Sequence, residues 1–161
     1  MHCRPAEEND AGPLLDLLRE MHAEIGLYEL AENKLAMAIE DGLQHGRVIV
    51  LEHDGAIGGS IGLFATELWF TNQTVLVDHW IFIRPQHRSK EALQLMIAMA
   101  KDVSIELALP LHVQLFTTKR LDAKARLFAQ LGDEVMRGFA FVPCGAEFVI
   151  QGPQAADSRG Q

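Results

Sequence analysis

The sequence contains very little cysteine. Cys3 and Cys144 are the only two cysteines among 161 residues. A disulfide framework or a cysteine-rich zinc site needs several cysteines at short spacings, so the sequence excludes both. Two widely separated thiols are typical of a reducing compartment, and we therefore expect a cytoplasmic protein in which both thiols are buried and unreactive.

Long apolar runs are missing as well. The N-terminal stretch MHCRPAEEND carries acidic side chains where a secretory signal needs an apolar segment. No apolar run approaches the roughly 20 residues that cross a bilayer as a helix. We therefore expect a soluble protein without a membrane partner.

Positive charge is scarce. The chain has 14 lysines and arginines against 22 aspartates and glutamates, which gives a formal net charge of −8. Binding to a phosphate backbone needs a basic face, so we expect no nucleic-acid partner. An acidic surface favours a small cationic partner, unless the charge serves only solubility. The seven histidines include no HExxH or other tight ligand spacing, and we expect no catalytic metal.

The first half of the chain predicts a short strand, two helices and three strands. HCRP is a strand that stops at Pro5, and two segments with helical apolar periodicity follow. The dipeptide Asp-Gly between apolar runs predicts a hairpin with strands near 47–53 and 56–65. The nearly continuous apolar run VLVDHWIFI predicts a central strand that is buried on both faces.

The second half predicts helices alternating with strands. SKEALQLMIAMAKDVSIELAL is a helix that Pro110 separates from the strand LHVQLF, and DAKARLFAQLG is a last helix with Asp122 as its N-cap. Strands near 135–142 and 146–151 follow, and the polar segment 151–161 is expected to be disordered. The element order predicts one mixed α/β domain over residues 1–150.

A polar turn, PQHRSKEAL, joins the central strand to the next helix. A helix N-terminus offers unpaired backbone N–H groups and the positive end of the helix dipole. Arg88 and Lys90 add two positive charges at that place, so the turn predicts a site for a phosphate or pyrophosphate. The simpler interpretation is that Ser89 caps the helix and both basic side chains are solvated.

The element order and this turn together resemble the GNAT superfamily of N-acetyltransferases. In that family a turn of pattern Q/R-x-x-G-x-G/A holds the pyrophosphate of acetyl-CoA. Gln86, Arg88 and Ala92 match the turn, whereas Ser89 and Glu91 replace its glycines. We expect both replacements to be tolerated, because the backbone amides supply most of the binding and the local dihedrals are expected to be helical.

The resemblance extends over about residues 2–142, since ARLFAQLGDE also resembles a segment of the family. It implies a mixed, mostly antiparallel sheet with a splayed parallel pair, about four flanking helices, and a homodimer as one possible assembly. Residues 80–95 are also similar to a branch carried by phages or prophages.

The resemblance further implies acetyl-CoA as cosubstrate and assigns residues to it. The candidates to meet an outer phosphate are Lys119, Lys124 and Arg126, and the alternative for each is a solvated helix charge. Backbone groups are expected to bind the pantetheine arm at Ile81, Phe82 and Ile83, and the pyrophosphate at Arg88, Ser89, Lys90, Glu91, Ala92 and Leu93.

Asp78 and His79 are the candidate catalytic residues. In the family the acceptor amine attacks the acetyl thioester directly, so the protein must orient two substrates and remove a proton. A polar pair inside VLVDHWIFI is costly to bury without partners, and only one of two neighbours on a strand can face the site. His79 suits proton removal and Asp78 suits binding an ammonium; alternatively, both are structural.

The remaining candidates concern the acid and the acceptor. Many family members carry a tyrosine in the last helix, but Phe128 stands there and cannot donate a proton. Tyr28 and Trp69 are candidate acceptor contacts, although burial in the core is an alternative for Trp69. The acceptor is expected to be a small cationic metabolite or a protein amino group. The competing function is a GNAT-fold binding module or CoA sensor without turnover.

Overall fold

The fold was analysed in a computed structural model that describes residues 1–45, 47–114 and 121–130. The predicted strands near 135–142 and 146–151, the segment 151–161, Lys119 and Cys144 lie outside the described residues.

A mixed sheet forms the centre of the described structure. Its first four strands pair in antiparallel fashion in chain order, and the fourth and fifth strands are parallel. This arrangement confirms the predicted mixed, mostly antiparallel sheet with one parallel pair. The strands are β1 (His2–Pro5), β2 (Val48–His53), β3 (Ala56–Glu67), β4 (Thr74–Ile83) and β5 (Leu111–His112).

The turn between β2 and β3 is the hairpin that the Asp-Gly dipeptide predicts. Asp54 and Gly55 have φ angles of 51° and 77°. Two successive residues with positive φ match the twist of the flanking strands, so this local signal sets the hairpin.

The predicted helices are present. They are α1 (Ala11–Ile25), α2 (Glu32–Gln44), α3 (Lys90–Leu107) and α4 (Leu121–Ala129). Gly26 ends α1 in the left-handed conformation, with a φ of 63°. The prediction of Asp122 as an N-cap is wrong, because α4 begins at Leu121 and Asp122 lies in its first turn.

Apolar side chains cover both faces of the sheet. On one face, the α1–α2 cluster joins both helices to the sheet through Leu14, Leu18, Ile39, Val50, Phe64, Val77, Trp80 and Phe82. On the other face, the α3 cluster contains Ile49, Leu51, Ile61, Leu63, Leu76, Leu93, Met96 and Ala100. The sheet is therefore the middle of three layers.

The face that α3 buries differs from the sequence-based expectation. The apolar periodicity of this segment predicts that Leu95 points inward, but Leu95 is 40% exposed, whereas Leu93 and Ile97 are buried. Apolar residues occur on nearly every side of this helix, so periodicity alone does not specify which stripe packs on the sheet.

No helix in the described ranges is both long enough and apolar enough to cross a membrane.

Candidate active site

The central strand β4 contains a bulge at His79. Gly62 of β3 pairs with Trp80 and Leu63 pairs with Asp78, so His79 has no partner residue on β3. A bulge inserts one residue, bends the strand and redirects side chains. Asp78 and His79 therefore lie at the one irregular point of the pairing between β4 and β3.

The parallel pairing of β4 with β5 is short. It joins Leu76 to Leu111 and Val77 to His112. One residue further, the backbone N–H of Gln114 donates to Asp78 Oδ1 at 2.6 Å. Among the described residues, no strand pairs with this side of β4 from His79 to Ile83, and we call this stretch the open edge of β4.

The carboxyl group of Asp78 lies where the two strands separate. Leu76, two residues earlier, belongs to the α3 cluster, and alternation along the strand directs Asp78 to the same face. Asp78 is only 8% exposed. Burial raises its pKa to about 6, against the opposing effect of the hydrogen bond from Gln114. At neutral pH the group is a largely ionised carboxylate.

His79 faces the opposite side of the sheet. Its ring stacks on Phe64 of the α1–α2 cluster, with centroids 3.8 Å apart and planes 9° apart. The residue is exposed, but this packing removes water from one ring face. Desolvation lowers the pKa of His79, and the negative charge of Asp41 partly opposes that change. A neutral imidazole at pH 7 can accept a proton.

The turn between β4 and α3 is a single 3-10 turn, Pro85–His87, followed by a capped helix. Ser89 is the N-cap of α3, and its Oγ accepts a hydrogen bond from the N–H of Ala92 at 3.0 Å. The N–H of Leu93 donates to the Ser89 carbonyl at 3.3 Å. The amide of Lys90 is left at the helix end, ahead of the first intrahelical hydrogen bond. The amide of Glu91 donates to its own carboxylate, and this bond and one from the Ser89 side chain lower the pKa of Glu91, so an anion that binds this amide must displace the carboxylate.

The glycine replacements in this turn create no backbone strain. The non-glycine residues with positive φ in the described ranges are Asp54 and Ala108. Glu91 lies in α3, as expected, but the expectation of helical dihedrals is wrong for Ser89, whose φ and ψ are −143° and 167°. Extended backbone suits an N-cap and is open to any residue, so neither position needs glycine for its φ.

The basic side chains of the turn already have partners. Arg88 donates from Nε to the carbonyl of Ile83 at 2.7 Å and from its terminal nitrogen to Glu24 at 2.5 Å. Lys90 donates to the side-chain oxygen of Gln130 at 3.4 Å. The charge of Arg88 is therefore compensated by Glu24, whereas the exposed Lys90 contacts only a neutral amide within the described ranges and keeps an uncompensated charge.

The pantetheine-binding residues expected from the resemblance lie along the open edge of β4. Phe82 and Ile83 are buried and Ile81 is half-buried. Phe128 of α4 packs against the α3 cluster. Its ring has no proton to donate.

The two candidate acceptor contacts are highly exposed. Tyr28, between α1 and α2, is 65% exposed, and Trp69, in the β3–β4 loop, is 95% exposed. The alternative that Trp69 belongs to the core is therefore wrong; its ring contacts Phe70 instead, at 5.3 Å between centroids. No hydrogen bond or ring contact within the described ranges links Tyr28 or Trp69 to Asp78 or His79.

Sequence reasoning missed two features of the site. One is the bulge, for which the glycines of GGSIG were a signal, since glycine inside a strand marks a bulge or a close approach. The other is Glu24 of α1, which reaches the turn from far along the chain. No local pattern marks that contact. Within the described ranges, no group of three histidine, cysteine, aspartate or glutamate side chains could hold a metal ion.

Comparison with known proteins finds the fold among acetyltransferases. A probable acetyltransferase superimposes with a TM-score of 0.67 at 14% identity, covering 91% of this chain and all (100%) of that one. An aminoglycoside 6'-N-acetyltransferase from Acinetobacter haemolyticus gives 0.63 at 14% identity, covering 91% and 100% of the two chains. A predicted acetyltransferase from Clostridium acetobutylicum, solved with acetyl-CoA, gives 0.65 at 12% identity, covering 88% and 95%.

No family model matches the sequence, and no curated protein matches it significantly. The similarity to solved structures therefore concerns the fold. The chain has the mixed α/β fold of the GNAT acetyltransferases, which confirms at that level the resemblance seen in the sequence.

Proposed function

We propose that this protein is an acetyl-CoA-dependent N-acetyltransferase that acts on a primary amine. One observation carries the proposal: the open edge of β4 runs from the bulge at His79 to the N-terminus of α3. An extended cosubstrate on this edge has an anion-binding helix end at one side and a proton acceptor at the other. Structures of the same fold solved with acetyl-CoA support this choice of cosubstrate.

The cosubstrate binds mainly through the backbone. An extended pantetheine arm adds to the open edge of β4 at Ile81, Phe82 and Ile83, as a peptide adds to a sheet edge. The amides of Lys90 and Glu91 meet the pyrophosphate at the positive end of α3. Side chains therefore contribute less than the backbone to binding of the cosubstrate. For this reason we expect Ser89 and Glu91 to be compatible with binding in place of glycine.

The acceptor half of the site supplies a base. Neutral His79 takes one proton from the ammonium, the amine nitrogen forms a bond to the acetyl carbon, and the carbon–sulfur bond breaks as the nitrogen gives its second proton to water. The departing thiolate takes a proton back from water, because Phe128 stands in the place of an acid. Asp78 faces the other side of the sheet and does not meet the acceptor; ionised above a pH of about 6, it only adds to the net charge of −8 that attracts a cation at long range.

Calorimetry and a thiol-release assay test the proposal. We expect acetyl-CoA to bind, Arg88→Glu to weaken that binding by placing a carboxylate at the turn, and at least one amine in a panel of polyamines, amino sugars and peptide N-termini to accelerate thiol release. Failure of acetyl-CoA to bind the wild-type protein refutes the proposal.

A second candidate function is a CoA-binding module without turnover. Phe128 favours it, because the position that carries an acid in many related folds is apolar here. Under this alternative, acetyl-CoA binds but no amine accelerates thiol release. A change of oligomeric state on binding then identifies a sensor.

A further inference from the structure

The carboxylate of Glu24 lies between two cations that border the proposed pyrophosphate site. It accepts a hydrogen bond from Arg88 at 2.5 Å and lies 3.9 Å from Lys124 Nζ. Arg88 belongs to the β4–α3 turn and Lys124 to α4, so one carboxylate of α1 meets charges from both elements. The side chain of Glu24 is only 20% exposed, which limits screening by solvent.

The guanidinium of Arg88 is held next to the amides of the turn. Its Nε donates to the carbonyl of Ile83, the last residue of β4, at 2.7 Å. Its Cζ lies 5.3 Å from the centroid of the Phe82 ring. These contacts fix the positive charge at the start of the turn, where Glu24 compensates it. An arriving phosphate is attracted by the two cations and repelled by the carboxylate that they share.

We propose that Glu24 sets the affinity of the turn for CoA by competing with the pyrophosphate for Arg88 and Lys124. This inference rests on the proposed function. The cosubstrate displaces the carboxylate from Arg88 as it binds, and Glu24 returns to the cation as the product leaves. The ion pair therefore lowers affinity and shortens the lifetime of the CoA complex, which matters where product release limits turnover.

The structure contains a matched control for Glu24. Glu20 lies one turn earlier on α1 and pairs with Arg84 at 2.8 Å. Arg84 also donates to the carbonyl of Ile57 at 2.5 Å, away from the helix end. Glu20→Gln thus removes the same charge from the same helix and breaks the same kind of ion pair. It leaves the contact with Arg88 in place.

The experiment compares wild type, Glu24→Gln and Glu20→Gln by calorimetry with CoA and, separately, with inorganic pyrophosphate. We expect Glu24→Gln to bind CoA about 3- to 10-fold more tightly than wild type at low salt, from the loss of one nearby negative charge. Glu20→Gln should change the Kd by less than about twofold. Added salt should reduce the gain in Glu24→Gln.

The outcomes separate the role of Glu24 from the proposed function. Equal effects of the two variants overturn the inference, and so does weaker binding by Glu24→Gln, which would mean that Glu24 orients Arg88 productively. If CoA binds but Glu24→Gln shows no gain, only the role of Glu24 fails. If neither CoA nor pyrophosphate binds any of the proteins, the proposed function fails with it.

Glu24→Asp is a conservative second variant, in case Glu24→Gln does not fold. Glu24→Asp keeps the charge but shortens the side chain by one methylene, which draws the carboxylate back from Arg88. We expect a gain in CoA affinity smaller than that of Glu24→Gln. Thermal melts of all variants check that α1 remains folded, and an Asp variant that binds CoA no more tightly than wild type counts against the inference.

Discussion

The Asp78 carboxylate accepts a hydrogen bond from the backbone of Gln114, 2.6 Å away, at the point where β4 and β5 separate. The contact joins the two strands one residue beyond their last paired residues. It also places an ionisable group in a buried position, and burial raises the pKa of Asp78 from 3.8 to about 6.

The raised pKa makes stability depend on pH. The folded state binds the proton more tightly than the unfolded state, so the contribution of Asp78 to stability is complete below pH 3.8 and is lost as pH rises through about 6. An asparagine can accept the same hydrogen bond without titrating. The difference in unfolding free energy between wild type and Asp78→Asn should therefore change by about 2 kcal/mol from pH 4 to pH 7, in favour of the variant at the higher pH.

Urea unfolding at several pH values measures this difference. Asp41→Asn, at a carboxylate of α2 that is 51% exposed, serves as the control and should show a much smaller change with pH. If the free energies of unfolding of wild type and Asp78→Asn change with pH in the same way, Asp78 does not have a raised pKa in the folded state.

Substitution of His79 should reduce turnover without affecting the binding of acetyl-CoA. Loss of a general base typically costs about 10²- to 10⁴-fold in rate. His79→Phe preserves a ring that can stack on Phe64, so the packing persists while the proton acceptor disappears. The acid limb of the wild-type profile of kcat against pH should lie below 6.5, because desolvation lowers the pKa of His79 from that value.

Steady-state thiol release and calorimetry separate the two effects. His45→Gln is the control for loss of a histidine. The His45 side chain is 54% exposed and pairs with Asp41, and this variant should retain activity. A His79→Phe variant that keeps the kcat of wild type would assign the base elsewhere.

Phe128→Tyr should accelerate release of the thiol. The residue packs against the α3 cluster on α4, and a hydroxyl there would offer the proton that water supplies in the wild type. We expect an increase in kcat of up to about 10-fold, at the low end of general-acid effects. The measurement is thiol release at saturating acetyl-CoA, with Phe70→Tyr, at an exposed phenylalanine, as control. No change in kcat would mean that position 128 lies too far from the sulfur.

Gly62→Ala should destabilise the fold by about 1 to 3 kcal/mol through overpacking. A Cβ at this position would collide with the indole ring of Trp80, which is buried and donates from Nε1 to Ser60 Oγ at 3.1 Å. Gly12→Ala is the control, because a Cβ there meets nothing within 4 Å apart from its chain neighbours. Gly12 precedes Pro13, so the gain in helix propensity is opposed by contact with the proline ring, and the free energy of unfolding should change by less than about 1 kcal/mol. Equal melting temperatures of the two variants would contradict the account of Gly62.

Most of the fold could be predicted from short sequence patterns. The Asp-Gly turn set the β2–β3 hairpin, and Gly26 ended α1 where its positive φ was needed. Each of these depends on the conformational preferences of one or two residues. Continuous hydrophobicity located β4 at the centre of the sheet, because a strand covered on both faces has little room for polar side chains.

The site was less accessible to sequence reasoning, because its features depend on distant contacts. The turn after β4 was predicted as an anion site, but its Arg88 belongs to an ion pair with Glu24 of α1, more than one element away. The capping role of Ser89 followed from its residue type. The opposite faces of Asp78 and His79 were expected from strand alternation, whereas the bulge that places His79 beside Phe64 was not.

The bulge also divides β4 into two segments. Odd-numbered residues face α1 and α2 in the first segment, and even-numbered residues face them in the second. Before it, the odd-numbered Val75 and Val77 belong to the α1–α2 cluster; after it, the even-numbered Trp80 and Phe82 do. Deleting His79 would make Asp78 and Trp80 consecutive residues that pair with Leu63 and Gly62, as in a regular ladder. Val77, Trp80 and Phe82 would then keep their places in the α1–α2 cluster. The extra residue is therefore not required for the packing of the sheet, and the position at 79 is free to carry a side chain for the site alone.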